Sequence, residues 1–297
     1  MKSILITGAT GFLGSNLVKV LEGNRYKCFY AFHDFEPQIK NQVKFDLAQN
    51  KSIYKNLDEI NPEIIIHAAA ITRPGDCLED PDRTQKINVK ATTIISRWCQ
   101  ENSARLIFTS TDMVYSGEDP PYKEGDETRP VNIYGKSKLT AERNIRKILN
   151  NHVILRLSLL FGRGNYNRKY SSEWLERDLK VNNGKQSFDP IGLYTDQYRS
   201  MISVTNVANI IEEMIDNNFT GILNIGGEKS ISRYEFGQKL CRKLGYSTKL
   251  IKPVKFQDID SETPSPLNVA LNIRAAKKIL NTEIWSIRKG LKVEYNE

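Results

Sequence analysis

One alternation constrains this chain more than any other feature. Short runs of Ile, Val, Leu and Phe fall at SILIT (3–7), CFYAF (28–32), VKFD (43–46), EIIIH (63–67), RLIFTS (105–110) and VILRLS (153–158). Runs that are apolar on consecutive positions suit strands covered on both faces, the condition of a parallel sheet. Between them lie amphipathic segments, clearest in NLVKVLEG (16–23), TQKINVKATTIISRWCQEN (84–102) and GKSKLTAERNIRKILNN (135–151). Strand, helix, strand in repetition implies an α/β chain with a doubly wound parallel sheet.

After Gly162 the rhythm breaks. GRGNYNRKYSSEWLERDLKVNNGKQSFDP is polar and holds one amphipathic helix, whereas SVTNVANIIEEMIDN (203–217) and GILNIG (221–226) look like a helix and strand returning to the sheet. SRYEFGQKLCRKLG (232–245) then starts another helix. The expected organisation is a first domain over 1–162, with 201–225 returning to it. A smaller, discontinuous lobe is expected over 163–200 and 226–297.

GATGFLG puts Gly8, Gly11 and Gly14 directly after the first strand and at the start of a helix. Glycines there let the backbone turn sharply and approach a pyrophosphate, whose charge the helix N-terminus meets. A lone glycine triplet is weak evidence, but its place at the head of a strand-helix series makes it a Rossmann-type dinucleotide fingerprint. The candidate cofactor residues in this turn are Gly8, Thr10, Gly11, Phe12, Leu13 and Gly14. After the second strand comes His33, and Asp34 lies 20 residues beyond Gly14, as an acid for the ribose of NAD would. A strand ending at Phe32 leaves Asp34 too far into the loop, so NADP(H) is favoured and NAD(H) is the alternative. Asp46, followed by Leu47, either caps the adenine or makes a turn. Ala68, Ala69 and Ala70 either bed a flat ring or space the packing.

The fifth strand delivers Ser110, Thr111 and Asp112 to the carboxyl edge of the sheet, where ligands of open α/β sheets bind. Tyr134 and Lys138 follow at the head of the next helix, four apart and therefore on one face. Such a pair taken alone is usually solvated. After a hydroxyl pair at a strand end and a glycine turn, it reads as carbonyl reduction: a hydride comes from a nicotinamide and a proton from Tyr134. Lys138 would lower the tyrosine pKa and bind ribose hydroxyls, while Thr111 holds the substrate oxygen. Ser110, Tyr134 and Lys138 thus also face the cofactor.

A formal charge of +8 is spread along the chain with no tight basic run or interleaved aromatics, so a small anionic ligand is expected rather than nucleic acid. Cys28, Cys77, Cys99 and Cys241 show no CxxC spacing, which suggests a reduced cytoplasmic protein without a metal site. No stretch approaches the roughly 18–20 apolar residues of a membrane span.

Taken together, the glycine pattern, STD after the fifth strand and NIYGKSKLTAE resemble the extended short-chain dehydrogenase/reductases. TDQYRSMISVTNVANII, SISRYEFGQKL and SPLNVALNIRAAKKIL resemble segments of the dTDP-4-dehydrorhamnose reductase family within them, over essentially the whole chain. The resemblance implies a nucleotide-activated 4-keto-6-deoxy sugar, reduced at C4 for surface polysaccharide. It assigns Asp112, Met113 and Arg199 to the substrate, with Arg156 and Arg163 as further candidates for its diphosphate. A homodimer is the other partner expected.

Three positions depart from the family pattern. Met113 stands where tyrosine usually follows STD, Ser265 where arginine precedes Pro266, and Met201-Ile202 where Pro-Thr is usual. Two rivals remain: a sugar-nucleotide epimerase or dehydratase of the superfamily, and a non-enzymatic NADP-binding regulatory subunit. A dehydratase would carry a glutamate after Asp112, and MVYSG has none. An idle subunit has no chemical need for Thr111, Tyr134 and Lys138.

Overall fold

A computed structural model describes residues 1–23, 25–36, 38–166, 173–259 and 262–296. Seven parallel strands form one sheet: β1 (Ser3–Thr7), β2 (Lys27–Phe32), β3 (Gln42–Lys44), β4 (Ile64–His67), β5 (Arg105–Thr111), β6 (His152–Leu157) and β7 (Gly221–Ile225). Their spatial order is β7-β6-β5-β4-β1-β2-β3. The order reverses between β1 and β4, and their carboxyl ends meet there, Thr7 pairing with both Ala31 and His67.

Alternate residues of each central strand feed opposite cores. Ile4 and Ile6 of β1, Ile64 and Ile66 of β4, and Val153 and Leu155 of β6 belong to one buried cluster. Leu5, Ile65, Leu106, Phe108 and Ile154 belong to the other. This period of two explains why the runs read as continuously apolar.

Helices α1 (Phe12–Leu21), α2 (Asn50–Ile60), α3 (Ala91–Glu101), α4 (Ile133–Ile148) and α5 (Val204–Asp216) cover the two faces. α1 and α5 pack together on the first cluster, and α2, α3 and α4 side by side on the second. The first helix begins earlier than its apolar periodicity suggests, because Gly11 of the turn is itself the N-cap. The segment expected as one helix over 84–102 starts at Pro81, behind an Asp80 side chain that accepts from the Arg83 N–H at 2.9 Å. It contains a wide π-turn over Gln85–Lys90 before α3.

A third cluster gathers Leu175, Leu179, Leu193, Phe236, Leu240 and Ile251. Short ladders serve it: Ile191–Tyr194 runs parallel to Ile251–Val254, and Tyr198–Arg199 antiparallel to Ile231–Ser232. α6 (Arg233–Lys243) follows the last of these behind a complete capping box. Val269, Leu271, Ile273 and Ile284, by contrast, pack in the first cluster with the large sheet. In the polar segment after Gly162, residues 167–172 lie outside the described residues. Its helix forms at Trp174–Asn183.

Candidate active site

A single cleft of about 620 Å³ runs along the carboxyl edge of the sheet. Most residues singled out for cofactor, chemistry or substrate line it, from Gly8 through Thr111, Tyr134 and Lys138 to Arg199. Arg156 and Arg163 do not.

At one end lies the glycine turn. Gly8 adopts φ +71°, and a Cβ there would sit 2.8 Å from the Ala69 backbone. A Cβ on Gly14 would lie 1.9 Å from the Gly8 carbonyl oxygen, so the third glycine lets α1 close on β1. A Cβ on Gly11 would meet only that oxygen, at 3.1 Å. Gly11 thus leaves open space in front of the helix N-terminus, and this cradle fits a dinucleotide pyrophosphate.

β2 ends at Phe32, and His33 lines the cleft whereas Asp34 does not. The Asp34 carboxylate meets the His33 ring instead. Asp46 makes the turn that was one of its two readings: its Oδ1 accepts from the Ala48 N–H at 2.8 Å. That oxygen is also 3.5 Å from His33 Nε2.

The reacting group is built by a helix cap. Asn132 accepts the Gly135 N–H at 2.8 Å and donates to the Pro264 carbonyl at 3.1 Å. Gly135 lets α4 seat on the turn after β5, since a Cβ there would lie 2.3 Å from the Met113 carbonyl oxygen. Tyr134 is thereby held over the end of β5, where its hydroxyl feels the Thr111 side chain and both line the cleft. Burial raises the phenol pKa above its ordinary value, and Thr111 works against that rise. The hydroxyl therefore carries its proton at neutral pH.

Lys138, one turn on, is 2% exposed. Its Nζ sits 4.0 Å from the Phe108 ring centre and has no hydrogen bond or ion pair among the described residues. Burial pulls its pKa down to about 7, with the Glu142 carboxylate resisting. Glu142 is itself gripped by Arg156, with contacts of 2.7, 3.1 and 3.2 Å, and it accepts from the Ser110 hydroxyl. Ser110 thus lines the cleft with its hydroxyl turned toward Glu142.

Several residues escaped the sequence reading. Asn88, presented by the π-turn, exchanges two hydrogen bonds with the Ile71 backbone at 2.8 and 2.9 Å and donates to Ser137 Oγ at 3.0 Å. It ties the loop after Ala70 to the tyrosine helix. Beneath Ala69, His67 bridges Thr7 and Thr92, at 2.7 and 3.0 Å. Thr92 donates to the Asn88 carbonyl at 2.8 Å, so it accepts from His67 Nε2, and Thr7 donates to Nδ1. Burial first, then the charge of Lys138, holds this imidazole neutral, its pKa pushed down to about 3.

On the far side of Thr111, Asp112 is 3% exposed and accepts from Ser158 at 2.9 Å and Thr111 at 3.3 Å. Burial raises its pKa against the pull of Arg199. Arg199 spends its guanidinium on the carbonyls of Tyr198, Leu267 and Pro266, at 2.7, 3.0 and 2.9 Å, and pins the 266–268 segment. Of the other two arginines, Arg156 is held by Glu142 and the Tyr115 hydroxyl, and Arg163 pairs with Glu176 at 2.6 Å. Neither is placed for a diphosphate in this cleft.

The whole chain, residues 1–297, matches the family described as the RmlD substrate binding domain. The chain belongs to that family. A probable low-salt glycan biosynthesis reductase, Agl14, of Haloferax volcanii is 29% identical over 90% of this chain and 89% of its own. The methionine adenosyltransferase 2 subunit beta of Bos taurus is 25% identical, over 85% of this chain and 75% of its own. Among solved structures, dTDP-4-dehydrorhamnose reductase from Bacillus anthracis, in complex with NADP, superposes with a TM-score of 0.85. It is 24% identical, over 99% of this chain and 98% of that one, a likeness that establishes the fold.

Proposed function

We propose that the chain is an NAD(P)H-dependent reductase of the C4 keto group of a nucleotide-activated 4-keto-6-deoxy sugar, acting in deoxysugar and polysaccharide biosynthesis. The observation that carries this reading is the convergence of Thr111, the protonated Tyr134 and the buried Lys138 on one cleft, the last two on the same helix face. Family membership and the Haloferax volcanii reductase support it from outside the site.

Gly8, Thr10, Gly11, Phe12, Leu13 and Gly14 would hold the cofactor's pyrophosphate, Asp46 and Leu47 its adenine end, and Ala68–Ala70 its flat face. NADP(H) is favoured over NAD(H), because His33 rather than an acid faces the cleft where β2 ends. When bound, the nicotinamide supplies the hydride. Thr111 positions the carbonyl oxygen, and Tyr134 gives that oxygen a proton as charge develops on it. The phenolate left behind would be stabilised by the Lys138 cation, which would also hold the ribose hydroxyls, and reprotonated from solvent. Asp112 and Met113 lie where the sugar would.

The proposed domains are 1–162 with 201–225 for the dinucleotide, and 163–200 with 226–297 for the substrate. Residues 269–284, packed on the large sheet, tie the second to the first. The four cysteines are free and buried, in keeping with a reducing cytoplasm. Among the described residues no helix is long and apolar enough to cross a membrane. A homodimer belongs to the same reading and is checked by light scattering.

The deciding experiment follows nicotinamide absorbance when the protein meets dTDP-4-keto-6-deoxy-glucose with NADPH or NADH, with and without a 3,5-epimerase. Oxidation that needs the epimerase is expected. The likeness to the methionine adenosyltransferase subunit favours a second reading, a non-catalytic binding subunit. NADP(H) binding with no oxidation of any keto-sugar would select it.

A further inference from the structure

The substrate side of the cleft holds an imbalance of buried charge. Arg233, the first residue of α6, is fixed there by its surroundings. Ser232 caps the helix, accepting from the Glu235 N–H at 3.1 Å, while the Arg233 N–H donates to the Gln197 carbonyl at 3.1 Å. The guanidinium lines the cleft, yet it makes no ion pair or hydrogen bond among the described residues, and its Nε is buried without a partner.

Arg199 stands beside it, close enough that the like charge, added to burial, pulls the Arg233 pKa down to about 10. Among the described residues the carboxyl that acts on both is Asp112, and its oxygens already accept from Thr111 and Ser158. Two guanidiniums against one carboxyl leave a positive charge largely removed from water. Such a charge is costly unless an anion joins it. Arg199 has turned both terminal nitrogens to backbone carbonyls, so Arg233 keeps the available fork, a shape that binds planar or tetrahedral oxyanions with two parallel bonds.

The location says whose anion it is. The glycine cradle follows β1, and the arginines lie beyond Asp112 at the end of β5, on the other side of β4. The cofactor's phosphates are therefore already accommodated elsewhere. We propose that Arg233, backed by Arg199, is the anchor for an oxyanion carried by the substrate itself, and that this oxyanion is the diphosphate of the activated sugar. This assignment rests on the nucleotide-sugar reading above. A carboxylate on the sugar ring is the other source of the same chemistry.

Calorimetry on the full chain with thymidine, dTDP, UDP, glucuronate and NADP⁺ tests it in wild type, Arg233→Met and Arg233→Lys. One charge-assisted contact corresponds to roughly 10- to 100-fold in affinity. The expected result is that Arg233→Met loses about that factor for dTDP or UDP, that Arg233→Lys loses less, and that thymidine and NADP⁺ are unmoved. Unchanged NADP⁺ affinity also certifies the fold of each variant. Equal dTDP and UDP affinity in Arg233→Met and wild type overturns the anchor and leaves the nucleotide-sugar reading standing. If wild type binds dTDP and UDP no better than thymidine but binds glucuronate in an Arg233-dependent way, the diphosphate assignment falls and so does that reading.

Discussion

Replacing Gly14 with alanine drives a methyl group into the backbone of the preceding turn. The new Cβ would lie 1.9 Å from the Gly8 oxygen, 2.7 Å from the Gly8 carbonyl carbon and 2.8 Å from the Ala9 Cα. Favourable carbon contacts begin near ~3.5 Å, so the start of α1 must retreat from β1 by about 1.6 Å. No side chain can turn away to absorb this, because every clashing atom is main chain. The retreat drags Leu17, Val18 and Leu21, all buried in the first core. Overpacking of this kind costs ~1–3 kcal/mol, and the helical preference for alanine over glycine offsets up to about 1 kcal/mol. The net ~0–3 kcal/mol, at ~2–4 °C per kcal/mol, corresponds to a fall in Tm of at most about 12 °C. Cofactor affinity should fall as well, since the helix N-terminus that would meet the pyrophosphate is displaced. NADP⁺ titration and thermal melting of the same samples read both effects. Gly75→Ala is the control, because its Cβ would find nothing closer than Thr263 Oγ1 at 4.0 Å. If Gly14→Ala binds NADP⁺ like wild type, the turn does not cradle the pyrophosphate in this manner.

Two further outcomes are expected at the reacting end. Tyr134→Phe should cut turnover by ~10²–10⁴ and leave the NADP⁺ dissociation constant within about twofold, whereas Lys138→Ala should damage both; turnover near wild type in Tyr134→Phe removes the proton donor. The pH profile of kcat/KM should fall tenfold per unit as pH rises through about 7, because burial has brought the Lys138 pKa down to about 7 and the neutral amine cannot stabilise a phenolate. A profile flat to pH 9 would show that the free protein keeps Lys138 charged and that its burial has been compensated.

Local pattern made the strands, the glycine cradle and the tyrosine-lysine pair legible, because each is a matter of spacing within a few residues. What escaped notice depends on partners far away in the chain. Asn88 looks like any polar residue in a helix until a π-turn aims it at Ile71. Arg199 sits in the expected cleft, but its fork is spent on carbonyls 67 and 68 positions later. The same holds for Arg156, whose neutralising Glu142 lies on α4. Arg233 lies in a segment legible as a helix and as a family likeness, but nothing there marks its side chain for a ligand. Its meaning comes only from the charges that folding sets around it and from the partner it lacks.

The edge position of β7 sets an order of assembly for the growing chain. Six of the seven sheet strands, together with the glycine turn, Thr111, Tyr134 and Lys138, have been synthesised by Leu157, whereas β7 arrives only with Gly221–Ile225. At roughly 5–20 residues per second, β6 waits several seconds with its outer edge unpaired, an edge that another nascent chain can join. The glycine turn and the strands proposed to hold the dinucleotide already exist in that interval. At a hundredfold excess over its dissociation constant it would add ~2.7 kcal/mol to the half-built sheet. A dinucleotide bound at that stage would favour the folded sheet before the substrate lobe exists.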